Sequence, residues 1–251
     1  MTTQQLSGMT AIVTGASRGF GRGIAAALTQ AGAHVVGVAR DPAALDEVRE
    51  QLGAAFTPIA ADAADPVVAG QLIDTYQPRV LVLNAGAVPL TRPIHRQTWQ
   101  TFSRNWDVDV QHAFNWTREA LLRPLEPGST VIAISSGAAL RKGSPLSGGY
   151  SGAKAAIRFL TGYAAEESRR EGLGVRFISV LPDLTPETRL GQAGVTAYAA
   201  QAGVDVAAFL ENRGPALTPD RAGAEIARLI TGPGHDEDSY LLSAAGLSPA
   251  P

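Results

Sequence analysis

Seven short apolar runs separated by longer amphipathic stretches set the tightest limit on how this chain can fold. The runs occupy 11–14, 34–39, 55–60, 80–83, 130–135, 175–181 and, more weakly, 240–243. Between them, apolar residues recur at helical spacing over 21–31, 42–52, 67–76, 98–122, 150–170 and 219–230. Near-continuously apolar strands alternating with helices are the pattern of a parallel sheet covered on both faces, since such strands have no solvent side. Asp41-Pro42 and Thr218-Pro219 each put a capping side chain before a proline at the first helical position. The glycine and proline clusters at 143–149, 182–186 and 232–234 are loop-sized, and none has the character of a linker. The pattern predicts an α/β doubly wound parallel sheet, a single domain over 1–251, with a small helical lid at 190–212.

Composition removes several function classes. The 21 basic and 23 acidic residues leave a net charge of −2, without the basic footprint of a nucleic-acid binder. With no cysteine there is no disulfide framework, zinc–thiolate site, iron–sulfur cluster or thiol nucleophile. His34, His95, His112 and His235 are scattered without metal-ligand spacing, so no metal is expected. The start of the chain has neither the basic beginning nor the apolar core of a secretory signal. The longest uncharged stretch, 23–39, is interrupted by Thr29, Gln30, Gly32, His34 and Gly37, so no membrane span is expected and the chain reads as cytoplasmic.

After the first apolar run comes Thr14-Gly15-Ala16-Ser17-Arg18-Gly19-Phe20-Gly21, opening directly into a helix. Glycines there let the backbone turn tightly and approach a pyrophosphate, which the amides and dipole of the helix start then hold. The spacing Gly-x-x-x-Gly-x-Gly, with threonine before it, resembles the short-chain dehydrogenase/reductase family, whose fold is of the Rossmann type. At the end of the second strand, where an acid would hold an unphosphorylated ribose, stands Arg40, with Arg18 inside the turn. Two guanidiniums suit a 2′-phosphate, through charge-assisted hydrogen bonds, so NADP(H) is the expected cofactor.

Tyr150-Ser151-Gly152-Ala153-Lys154 places a phenol and an ammonium one helical turn apart. A nearby ammonium favours the phenolate and brings a tyrosine toward the working range of a general acid. With five tyrosines and only two lysines, Lys142 and Lys154, chance predicts about 0.04 such pairs in the chain. Upstream, 130–135 ends in the serine pair Ser135-Ser136, at a strand end where doubly wound folds put ligands. These residues resemble the family's Ser–Tyr–Lys triad, with Ser136 polarising the substrate carbonyl and Ser135 as its possible substitute. Leu83-Asn84-Ala85-Gly86 resembles the family's Asn-Ala-Gly motif beside the cofactor, and Asp62 the aspartate that contacts adenine, against its alternative as a turn-forming residue. The resemblance runs from Thr10 to about Pro182. It implies cofactor contacts at Gly15, Ser17, Arg18, Gly19, Phe20, Gly21, Arg40, Asp62, Ala63, Asn84, Ala85, Gly86, Tyr150, Lys154, Pro182 and Leu184.

Two positions depart from the family's pattern. Asp109, in Asp107-Val108-Asp109-Val110, stands where the family has the asparagine of a water-linked proton path. Asp183 follows Pro182 where the family has glycine. The residues together imply an NADP(H)-dependent carbonyl reductase or alcohol dehydrogenase using Ser136, Tyr150, Lys154 and Asp109; the alternative is a non-catalytic NADP(H)-binding regulator. A largely apolar lining at 87–90, 138–142, 184–198 and Phe209, with Arg141 and Lys142 at an edge, suits a medium-sized hydrophobic carbonyl or alcohol. The resemblance further implies a homodimer or homotetramer built on 98–122 and 150–170, with Trp99, Trp106, Trp116 and Phe159 as aromatic anchors.

Overall fold

A computed structural model of the chain describes residues 5–140, 144–211 and 213–251. Its sheet contains β1 (Thr10–Thr14), β2 (His34–Ala39), β3 (Phe56–Ala60), β4 (Val80–Leu83), β5 (Thr130–Ile134), β6 (Arg176–Pro182), β7 (Ser239–Ser243) and β8 (Gly246–Pro249). The spatial order is β3-β2-β1-β4-β5-β6-β7-β8, parallel from β3 through β7. The order reverses between β1 and β4, which opens a crevice at their carboxyl ends.

The strands alternate their apolar side chains between two cores. Ala11, Val13, Val35, Val80 and Val82 face α1 (Gly19–Gln30), α2 (Pro42–Leu52) and a C-terminal helix, Pro219–Thr231. Ile12, Val36, Leu81 and Leu83 face α3 (Pro66–Tyr76) and the helices Gln111–Leu122 and Gly148–Arg170. The proline starts hold: Asp41 accepts from the Ala44 amide and Thr218 from the Arg221 amide at their N-caps.

The structure departs from the expected elements in three places. The 98–122 helix is not continuous: it breaks into α4 (Trp99–Asn105), a π-helical turn (Trp106–Val110) and α5 (Gln111–Leu122). A π turn adds one residue inside a helix without needing proline or glycine, so the sequence does not mark it. The catalytic-helix candidate, α6 (Gly148–Arg170), begins two residues before Tyr150. After α7 (Arg189–Ala202), α8 (Val206–Glu211) and α9 (Pro219–Thr231), β7 turns back into the antiparallel β8, which Gly246-Leu247-Ser248-Pro249 hides behind a single large apolar residue. Trp116 is a further correction: it is fully buried against α3 with its indole donating to the Ala63 carbonyl, so it belongs to the core and offers nothing to a partner. Among the described residues no helix is long and apolar enough to cross a membrane, and no cluster of metal-ligating side chains occurs.

Candidate active site

The glycine-rich turn and the end of β4 are stitched together at the switch point. The Thr14 hydroxyl donates to the Val82 carbonyl at 3.2 Å and accepts from the Asn84 and Ala85 amides at 2.9 and 3.1 Å. The Asn84 amide group donates to the Thr14 and Gly15 carbonyls at 3.0 and 3.3 Å. Gly15 has φ 67°, and a Cβ on Gly21 would stand 2.2 Å from the Gly15 carbonyl oxygen, so the turn closes only with glycine at both places. Arg18 sits at the N-cap of α1 without a side-chain cap, and the first-turn amides of Gly19, Phe20 and Gly21 retain their capacity to bind an anion. These features fit a dinucleotide pyrophosphate.

Around that cradle the other expected cofactor residues are placed as follows. Ser17 is buried, while Arg18 and Arg40 are exposed, and the Arg18 guanidinium lies 3.9 Å from the Asp41 carboxylate. An ion pair that open to solvent is weak and leaves the arginine available. Asp62 is exposed and its Oδ1 accepts from the Ala64 amide at 3.0 Å, which is the geometry of a turn-forming aspartate. Ala63 is buried beneath it, Pro182 is buried at the end of β6, and Leu184 is half-buried.

On the other side of the crevice stands α6, with Tyr150 in its first turn and Lys154 one turn further on. The Lys154 ammonium is buried; it donates to the Ile134 carbonyl at 3.1 Å, pairs with Asp109 Oδ2 at 3.2 Å and lies 5.7 Å from the centre of the Tyr150 ring. Burial opposes its charge, yet the Asp109 carboxylate and then Tyr150 together outweigh that cost, so the ammonium titrates above the ordinary lysine range. The two serines at the end of β5 have separate tasks. Ser135 is buried and its hydroxyl donates to the Lys154 carbonyl at 2.7 Å, tying β5 to α6. Ser136 is half-buried, accepts from the Ala138 amide at 3.1 Å and keeps its proton to donate.

The π-helical turn explains how Asp109 reaches Lys154 at all. Widening the helix there buries Asp109 while the Trp106 indole donates to the Gly149 carbonyl at 3.1 Å. Asp109 Oδ1 accepts from the Ala87 amide at 2.8 Å and from the Asn105 side chain at 3.3 Å, and Asn105 also donates to the Ala87 carbonyl at 2.8 Å. A Cβ on Gly86 would stand 2.8 Å from Asp109 Oδ2, so the close approach of this loop requires glycine. One carboxylate thus holds both the loop after β4 and the lysine of α6.

His112, with no role expected from its sequence position, belongs to the same cluster. It is buried, and its Nε2 is enclosed without a partner among the described residues. Burial, and next the neighbouring Lys154 charge, push its pKa down to about 3. Its spacing of three residues from Asp109 on one helical face was the available signal. Asp183 is exposed at the end of β6; its amide donates to the Leu242 carbonyl at 2.9 Å, and its Oδ1 would be 3.4 Å from a Cβ on Gly137. It therefore flanks the turn that carries Ser136.

A cavity of about 480 Å³ opens beside the start of α6, lined by Arg92, Ile94, Gln97, Phe102, Ser144, Pro145 and Gly148. These are not the expected lining stretches, of which Arg141 and Lys142 lie outside the described residues. Beside it the loop after β4 is tied to the loop before α6, the Arg92 amide donating to the Leu146 carbonyl at 2.7 Å.

A doubly wound sheet with a nucleotide cradle at its switch point and a tyrosine–lysine pair across the crevice defines an NAD(P)(H)-dependent oxidoreductase. The family model described as short chain dehydrogenase matches residues 9–199. A short-chain type dehydrogenase/reductase of Picea abies is 31% identical over 215 residues, 79% of this chain and 78% of that protein. A dehydrogenase/reductase from Sinorhizobium meliloti superposes with a TM-score of 0.78 at 28% identity, over 96% of this chain and 95% of its own. A 3-ketoacyl-(acyl-carrier-protein) reductase from Brucella melitensis, solved with NADH, superposes with a TM-score of 0.74 at 25% identity, over 92% and 93%. The chain belongs to the short-chain dehydrogenase/reductase family and acts on the carbonyl or alcohol group of a small molecule.

Proposed function

We propose that the chain is an NADP(H)-dependent carbonyl reductase or alcohol dehydrogenase for a medium-sized, largely apolar substrate. The observation that carries this reading is the buried Lys154 ammonium, held by Ile134 and Asp109 within reach of Tyr150. In the reducing direction, the Ser136 hydroxyl donates to the substrate carbonyl oxygen, and Tyr150 gives its phenolic proton to that oxygen as the carbon is reduced. Lys154 holds positive charge next to the phenol as the proton leaves, and its remaining N–H would be free to hold the cofactor's ribose. When bound, the nicotinamide supplies or accepts the hydride. Asp109 fixes the position of Lys154 directly, in place of a water-linked asparagine. The turn between Gly15 and Gly21, with Asn84, Ala85 and Gly86 behind it, would hold the pyrophosphate and nicotinamide side. Arg18 and Arg40 would clasp the 2′-phosphate, and Asp62 and Ala63 would meet the adenine.

The segment 190–212 would cover the substrate as a lid. The exposed faces of α4, α5 and α6, where Trp99 and Phe159 are 75% and 77% exposed, support a closed dimer or tetramer. A second reading, a cofactor-binding regulator without turnover, is favoured by one observation: Asp109 offsets the charge of Lys154 by direct pairing. Following NADPH and NADH oxidation with a panel of ketones and aldehydes, alongside binding of each nucleotide by fluorescence, decides between them. Turnover supports the enzyme, whereas tight NADPH binding without turnover of any carbonyl supports the regulator.

A further inference from the structure

Three hydroxyl groups meet between α7 and the start of α6. Tyr198 Oη lies 2.7 Å from Ser147 Oγ and 2.8 Å from Ser144 Oγ, and the two serine oxygens are 2.8 Å apart. Each hydroxyl carries one proton, so three donors and three contacts close into a ring whose bonds reinforce one another. Tyr198 is on α7, and Ser144 and Ser147 lie in the loop that leads into α6.

Ser147 is the N-cap residue of α6, and serine is favoured there because its hydroxyl accepts from the second or third helical amide. In α6 those amides belong to Gly149 and Tyr150. No such bond exists: Ser147 has φ −129° and ψ 36°, and its buried hydroxyl is turned to Tyr198. At its other end α7 is anchored independently of this contact. Thr188 caps it by accepting from the Gly191 amide at 3.0 Å, and Thr185 donates to the Leu217 carbonyl at 2.7 Å. The Thr188 methyl also lies 3.5 Å from where a Cβ on Gly19 would be, so this hinge rests on the nucleotide turn.

We infer that Tyr198 is a positioning residue, a latch through which closure of α7 withdraws the capping hydroxyl of Ser147 from the first turn of the helix that carries Tyr150. The Ser147 hydroxyl then has two alternative partners. With α7 closed it belongs to the hydroxyl ring; with α7 open it rotates back to cap α6. Closure and the conformation of the first turn of α6 are one coupled equilibrium, so substrate enclosure and placement of the phenol occur together. The inference rests on the proposed lid role of 190–212, and it is read without any turnover.

The test is amide hydrogen exchange on the full-length protein with saturating NADPH, comparing wild type, Tyr198→Phe and Ser147→Ala. Tyr198→Phe keeps the ring and removes only the hydroxyl. Loss of two neutral hydrogen bonds predicts exchange over 189–202 faster by about five- to 150-fold. The amides of Gly149 and Tyr150 become more protected in Tyr198→Phe, where Ser147 is released to cap, and gain no protection in Ser147→Ala, where no cap can form. Unchanged exchange over 189–202 in Tyr198→Phe overturns the latch, and so does added protection at Gly149 and Tyr150 that is absent from Tyr198→Phe or equal in both variants. Should α7 respond as stated while no carbonyl is ever turned over, the latch stands and the enzymatic reading fails.

Discussion

Asp109→Asn probes the buried pair with little change of shape, and its cost follows from counting oxygens. The aspartate uses two acceptors at once: Oδ1 takes the Ala87 and Asn105 N–H groups, and Oδ2 faces the Lys154 ammonium. Asparagine has one carbonyl oxygen, so either the Ala87 amide or Lys154 must face an NH₂ group. An unmet buried donor costs about 1–3 kcal/mol, and breaking a buried ion pair outright costs about 3–5 kcal/mol. The variant should therefore lose about 3 kcal/mol of stability at neutral pH, between those two limits. The loss depends on pH, because in wild type Asp109 and Tyr150 raise Lys154 above 10.5 against the opposing effect of burial. That contribution is fully present below the unfolded value of 10.5 and disappears as pH rises through the higher folded value. Without the carboxylate, burial prevails and the folded value drops below 10.5, so the variant gains stability as pH rises from that lowered value to 10.5, by up to about 1.4 kcal/mol per unit. Urea unfolding of both proteins at equal subunit concentration, from neutral to alkaline pH, measures this. A cost below about 1 kcal/mol, or a cost that does not shrink toward alkaline pH, would mean that Asp109 does not sustain the buried charge of Lys154.

Three further outcomes follow from the same structure. Arg40→Asp should weaken NADPH binding by about 1.5–3 kcal/mol and narrow its gap to NADH; wild type binding NADH as tightly as NADPH contradicts the reading of the two arginines. His112, held down to about 3, binds its proton more readily when unfolded, so its contribution is full above pH 6.5 and falls by up to about 1.4 kcal/mol per unit toward pH 3. His112→Gln should flatten that acid limb in denaturant titrations, and an unchanged slope counts against the burial argument. Phe159→Glu should shift sedimentation from a dimer or tetramer toward the 26.1 kDa monomer, while a wild type already monomeric at micromolar concentration removes the proposed interface.

Local chemistry made much of the fold legible and left the rest hidden. Apolar runs such as Val80-Leu81-Val82-Leu83 identify buried parallel strands because neither face of the sheet meets solvent. Asp41-Pro42 locates a helix start because capping depends on adjacent residues. The π-helical turn at Trp106–Val110 was invisible, since one extra residue per turn is set by what Asp109 and Trp106 bond to across space. For the same reason the sequence gives no sign of the part played by Asn105, and for His112 only its spacing from Asp109. Trp116 looked like an available aromatic because helix periodicity gives no sign of the Ala63 carbonyl waiting for its indole. The resemblance favours Ser136 and leaves Ser135 as its substitute; the fold sends the Ser135 hydroxyl to the Lys154 backbone.

The proton donor is the centre of this account, and Tyr150→Phe isolates it by removing one oxygen while keeping the ring. Oxidation of NADPH by wild type and by this variant is to be followed on a carbonyl that wild type accepts, with nucleotide binding measured in parallel. NADPH should still bind the variant while kcat falls by at least the 10²–10⁴-fold that is about the range of general acid catalysis. Retention of kcat within about tenfold would contradict it, because the proton would then reach the substrate from a group other than Tyr150.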